Sequence, residues 1–344
     1  MLQIQKLKNT DKKLLRKGEI GPSQSFDLDK SRQSFLNEVR GRLLEFSCGL
    51  NLAEEAGIQS NFLSELTPSE LGELTQYQDY LRKNDPNSYE YILKAGKNFL
   101  SSFSLSEIND LKKVRLTGKL QEKDKYGEAD LFLSGRSDKW ISIKLIQEKS
   151  YVNSKSAGIK SIFEKYFQSP LFQKSFNNKI DQYFLLFKLG FYQYFDTSLD
   201  EISFSDLCKQ KGVSDRPGLL SPDLKSLLYQ FYQSCIGEVH AEFVRQYEKN
   251  PDVFIRNIFP LAGFSNNSMI VYIFGHDKIF QKLSMKYYDH RHLKTNSIKI
   301  SEINGNTSFN IELDQLSLQI RVKPMNSFLA PSMKVNCSVK FKGD

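Results

Sequence analysis

The stretch VRLTGKLQEKDKYGEADLFLSGRSDKWISIKLI (residues 114–146) decides the fold. It divides into VRLTGKLQ (114–121), EADLFLSG (128–135) and KWISIKLI (139–146), each rich in β-branched or aromatic residues and parted by polar turns. Short runs of this kind predict three consecutive antiparallel strands. Upstream the period changes. Phe35, Val39, Leu43, Leu44 and Phe46 recur at three- and four-residue steps in SFLNEVRGRLLEF, which predicts a helix. Further helices are expected around 68–82, opening on the capping-box pattern TPSE, and around 88–100 and 105–112. Downstream, helical patterning returns at 157–168, at 175–195 and from Pro222 to about Asn250. The chain then turns to strand patterns: MIVYIFG (269–275), SIKISEI (297–303), TSFNIEL (307–313), LSLQIRV (316–322) and MKVNCSVKF (333–341). Helices, a β-meander, helices and more strands predict an α+β (mixed α/β) protein. The expected divisions are a flexible basic lead-in at 1–25, a helical region at 26–112, a core with the meander and flanking helices at 113–260, and a β-rich part at 261–344.

Composition bounds the function. The chain has 344 residues, 40% hydrophobic and 26% charged, which suits a globular protein with a sizeable core. Its 48 Lys and Arg against 40 Asp and Glu leave a formal charge of +8, compatible with an anionic partner. No apolar run is long enough to span a bilayer, and the start MLQIQKLKNTDKKLLRKGE lacks a signal-peptide apolar region. The expectation is a soluble cytoplasmic protein with no membrane partner. The four cysteines lie far apart with no CxxC, so zinc is not expected. Neither a phosphate loop nor GxGxxG occurs, which removes ATP and nicotinamide cofactors, and HExxH and GxSxG are missing too.

The chemistry concentrates at 126–158. Alternation along WISIKL sets Ile141, Ile143 and Leu145 on one face and Ser142 and Lys144 on the other. A lysine suits a central strand only if its charge is paired or used. The preceding strand offers Glu128 and Asp130 on one face. Two carboxylates and a lysine on adjacent strands can hold a divalent cation and orient a water against a phosphodiester. Just downstream, KSYVNSKSAGIKS gathers Lys149, Asn153, Lys155, Ser156 and Lys160 at an expected loop-to-helix junction, a setting for phosphate contacts. Near the C-terminus, Gln319, Arg321 and Lys323 share one strand face, and Arg321 or Asn326 could read base edges from a β-ribbon.

This layout resembles the PD-(D/E)xK nuclease superfamily, which includes most type II restriction endonucleases. In that family a helix supplying a Glu precedes a β-meander, an Asp opens the second strand, and (D/E)xK lies on the third. Over roughly residues 30–190, Asp130 matches the Asp, Lys144 matches the Lys, and Glu38 in SFLNEVRGRL is the helix acid. Ser142 stands where the family has its second acid. Some members carry SxK and recruit a Glu from elsewhere, so Glu164, Glu128, Glu148 and Glu38 all stand as candidates to complete the site, with Asp130, Glu128 and Glu164 as metal ligands. The resemblance implies Mg²⁺, double-stranded DNA as substrate, endodeoxyribonuclease activity of the sequence-specific restriction type, and, as in many members, a homodimer. Two other readings stand beside it: a DNA-binding module of the same fold without cleavage, and a phage or repair nuclease acting on DNA structure.

Overall fold

The computed structural model describes residues 22–117, 129–148, 150–264, 268–293, 297–305, 307–324, 327–331 and 333–342, with side chains from residue 32 onward. The lead-in thus lies outside the described residues except for 22–25, where a helix has already begun. The fold is α+β, with two five-stranded sheets among the described residues. The chain divides into two compact units: 1–121, 129–147 and 272–286 form the first, and 122–128, 148–271 and 287–344 form the second. This division differs from boundaries at 113 and 261. The N-terminal helices belong with the meander, and the later helices with the C-terminal strands.

In the first unit the long helix α1 (Pro22–Glu55) is followed by α2 (Gln59–Ser64), α3 (Pro68–Asn84), α4 (Pro86–Phe99) and α5 (Leu105–Asn109). Val39, Leu43, Leu44 and Leu52 are buried along α1, as their spacing dictates. The capping box forms at α3: Thr67 accepts from the Glu70 amide at 3.2 Å, and the Glu70 carboxylate accepts from the Thr67 amide at 2.9 Å. Asp85, between α3 and α4, accepts from Arg40 Nε at 2.9 Å and ties that corner to α1. The first sheet has the order β1 (Lys113–Leu116), β2 (Leu131–Ser134), β3 (Lys139–Gln147), β5 (Met269–His276), β6 (Leu283–Asp289). The β1–β2–β3 meander is antiparallel, as expected. The strand at 269–275 does form, but beside β3 rather than with the C-terminal strands. Met269–Gly275 is buried on both faces, which explains its unbroken apolar run.

Two glycines fix how closely the helices of this unit approach. A Cβ on Gly96 of α4 would lie 2.1 Å from Ser47 Oγ and 2.9 Å from Ser47 Cβ of α1. Gly96→Ala is therefore expected to lower the unfolding free energy by about 1–3 kcal/mol, read from urea unfolding. A Cβ on Gly49 would meet Leu131 Cδ2 and Phe62 Cε2 at 3.0 Å, so α1 runs hard against the start of β2.

The second unit begins with β4 (Val152–Gly158), followed by α6 (Ile162–Phe167), α7 (Pro170–Tyr194), α8 (Phe204–Gln210), α9 (Pro222–Lys249) and α10 (Pro251–Leu261). Its sheet, ordered β4, β10 (Met333–Phe341), β9 (Leu316–Pro324), β8 (Ser308–Glu312), β7 (Lys299–Ile300), is antiparallel throughout. Leu318, Ile320 and Val322 of β9 and Val335, Cys337 and Val339 of β10 are buried. Phe163, Phe243 and Phe309 join helices to sheet, with Phe163–Phe243 and Phe243–Phe309 ring centroids 5.9 and 5.6 Å apart. The segment 152–158 corrects the expected loop-to-helix junction: its polar residues make a strand because β10 pairs with it, and α6 begins only at Ile162. Among the described residues no helix is long and apolar enough to cross a membrane.

Candidate active site

Asp130 sits just before β2, where the register Leu131↔Ile141 carries it opposite Ser142. Its backbone is held on both sides, the N–H donating to Ile141 O at 2.7 Å and the C=O accepting from Thr117 N at 3.1 Å. β3 runs on past this pair to Gln147, with the Ile143 amide turned toward Asp130. The Asp130 carboxylate takes it: Ile143 N donates to Oδ2 at 2.6 Å. The same oxygen accepts from Ser142 Oγ at 3.1 Å and from Lys144 Nζ at 3.3 Å. Three donors on Oδ2 leave Oδ1 with no hydrogen bond from a described residue. Alternation thus delivers Ser142 and Lys144 to one carboxylate. Ser142 is only 2% exposed, whereas the Asp130 and Lys144 side chains are 14% and 30% exposed, so the pair lies at the edge of solvent.

On α1 the carboxylate whose charge couples to Asp130 is that of Glu45, not that of Glu38. Glu38 is exposed on α1, and its charge acts on Tyr77. Glu45, seven residues and about 10 Å further along the helix, takes the place beside Asp130. Its side chain is 13% exposed, next to buried Leu44 and Phe46 and one turn before the close approach at Gly49. Burial first and the Asp130 charge second push the Glu45 carboxyl up to about 8, against the pull of Arg42 and Lys144. Arg42 donates to Glu45 Oε2 at 2.8 Å and is itself only 12% exposed. Burial and then Glu45 also push the Cys48 thiol up.

Asp130 and Glu45 lie near enough for their charges to act on each other, and a hard cation between them would relieve that repulsion. Mg²⁺ commonly takes only one or two protein carboxylates and keeps its remaining sites for water and phosphate. Asp130 through its unbonded Oδ1, together with Glu45, would hold it. Among the described residues no group of three or more His, Cys, Asp or Glu side chains that could hold a metal ion is found.

The other expected site residues lie elsewhere. Glu164 is exposed on α6 in the second unit. Glu128, Lys149 and Asn326 fall outside the described residues. Lys155 pairs in register with buried Cys337, and burial first, then Lys165, lower its ammonium to about 8. Lys160 forms an ion pair with Asp181. Asn153, Ser156, Gln319, Arg321 and Lys323 all lie on the second sheet. Comparison with protein-family models, with curated proteins and with solved structures gives no match.

Proposed function

We propose that the protein is a Mg²⁺-dependent endodeoxyribonuclease of the PD-(D/E)xK type, most nearly a sequence-specific restriction endonuclease. The observation that carries this reading is the meeting of Lys144 and Ser142 from β3 on the Asp130 carboxylate just before β2, with Glu45 of α1 near enough for the Asp130 charge to act on it. When bound, Mg²⁺ supplies neutralisation of phosphate charge and acidification of a water molecule. Asp130 and Glu45 would bind the ion. Lys144, partly exposed and already beside Asp130, would pair with a non-bridging oxygen of the scissile phosphate or orient the attacking water. Ser142 and the Ile143 amide keep the Asp130 carboxylate in a single orientation, leaving Oδ1 toward the ion. Arg42 balances the negative charge of Glu45 from the protein side.

Supercoiled plasmid tests the reading. Nicking or linearisation is expected with Mg²⁺ and none after EDTA. Discrete fragments from a long DNA would support the sequence-specific restriction type, and a smear would move the proposal to a structure-directed nuclease. An intact plasmid in Mg²⁺, with DNA still bound, would leave the binding module as the better reading.

A further inference from the structure

The residues that sequence set apart as two basic features, one at 149–160 and one at 319–323, share the second sheet, and β10 lies between them. The register aligns Ser156, Asn336, Arg321 and Ser308 in one row across β4, β10, β9 and β8. The next row is Asn153, Ser338, Gln319 and Asn310. Lys334 and Lys323 face each other one step beyond Arg321. At the other end Lys340 lies over the Tyr151 ring at 5.9 Å, and Ser317 donates to Glu312 at 2.7 Å. The alternate residues of β9 and β10 are buried, so these rows form the face of the sheet turned away from its core. Apart from Ser317, every residue of the rows is half-buried or exposed.

The charge on this face is one-sided. Among the described strand residues Lys299, Arg321, Lys323, Lys334 and Lys340 bring five cations to it, whereas Glu312 is its one carboxylate, already paired with Lys342 at 2.9 Å. Arg321 and Lys323 lie two residues apart on β9, and burial followed by the Arg321 charge lowers the Lys323 ammonium. Like charges held together in this way cost folding energy, which a bound polyanion would return.

We propose that this face is a platform for the phosphate backbone of duplex DNA, resting on the nuclease reading for the identity of the polyanion. Five strands about 4.8 Å apart make a surface about 19 Å across, comparable to the width of a duplex. Single-stranded DNA is usually held by aromatic rings on which bases stack, and among the described residues of these rows the ring is that of Tyr151, beside Lys340. The donors of this face are lysines, an arginine and short amides and hydroxyls, the side chains that contact phosphate and sugar. The platform therefore supplies affinity and orientation across the sheet surface, without insertion of a ribbon into a groove.

Binding of a fluorescent 30-base-pair duplex by the full chain in EDTA, over a range of salt concentrations, tests this. The triple variant Arg321→Ala/Lys323→Ala/Lys334→Ala is expected to bind roughly tenfold or more weakly, with the slope of log K against log salt flattened by up to about 2.7. Lys323→Glu/Lys334→Glu should weaken binding similarly, and Lys209→Ala/Lys249→Ala on α8 and α9 should not. Wild-type affinity in both platform variants would overturn the platform, as would tighter binding of the single strand than of the duplex. The two proposals fail separately. Platform-dependent binding with no plasmid cleavage in Mg²⁺ would sink the nuclease reading alone, and cleavage with unaltered binding in the variants would sink the platform alone.

Discussion

Lys144→Ala is expected to reduce the rate of plasmid cleavage by about 10²–10³-fold while leaving folding and DNA binding nearly unchanged. The two effects separate because of where the ammonium lies. Its side chain is 30% exposed, and its contact with Asp130 Oδ2 at 3.3 Å is the longest of three to that oxygen. A partly exposed pair of this kind contributes on the order of 0–1 kcal/mol to stability. Asp130 would keep its bonds from the Ile143 amide and Ser142, so the carboxylate stays oriented in the variant. In the transition state the situation differs, since negative charge grows on the phosphate and a fixed cation beside it is worth far more than in the ground state. The loss should therefore fall on kcat, with KM and duplex affinity within a few-fold of wild type. Cleavage at the wild-type rate would remove this cluster from consideration, and a parallel loss of thermal stability would mean that Lys144 is a structural partner of Asp130.

Much of this cluster was legible because a strand has a period of two. Once residues 128–146 are read as adjacent strands, Asp130, Ser142 and Lys144 must share a face, and register does the rest. Which acid of α1 comes near Asp130 was harder to read. Glu38 and Glu45 lie seven residues apart on the same side of α1, and periodicity alone does not say which turn meets the sheet. A cue was present: Glu45 interrupts LLEF, between two side chains that are 0% and 8% exposed, where a solvated carboxylate has no room. Arg42, one turn earlier, is the partner that lets it remain there. The segment 152–158 resisted for another reason. Its sequence VNSKSAG has little strand propensity of its own, and its conformation comes from β10, almost two hundred residues downstream. That same long-range pairing merges the two basic features into one face, which no local pattern could reveal. The position of β5 beside β3 was hidden in the same way, since buried strands announce themselves by composition but not by neighbour.

Glu45→Gln is expected to act in opposite directions on stability and on cleavage. In the metal-free protein the Glu45 carboxyl is raised from the usual 4.5 to about 8, so the folded state favours its neutral form. Below about pH 4.5 that group costs folding nothing. As pH rises, the unfolded chain ionises first and the folded protein resists, so stability falls until the folded group itself ionises near pH 8. The wild type should therefore lose up to a few kcal/mol of unfolding free energy between pH 5 and pH 8 through this group, measured by urea unfolding in EDTA. Glutamine keeps the shape, can still accept from Arg42 through its amide oxygen, and has no charge to set against Asp130. The variant should match the wild type near pH 5 and exceed it at pH 8. Mg²⁺ reverses the comparison: binding to the paired carboxylates should stabilise the wild type at pH 8, by an amount that grows with ion concentration, and stabilise the variant much less. Cleavage should fall by about 10²-fold or more, because the ion would lose one of its two protein carboxylates. A variant no more stable than wild type at pH 8 without metal would show that Glu45 does not face Asp130. Equal stabilisation of both proteins by Mg²⁺ would place the ion elsewhere in the chain.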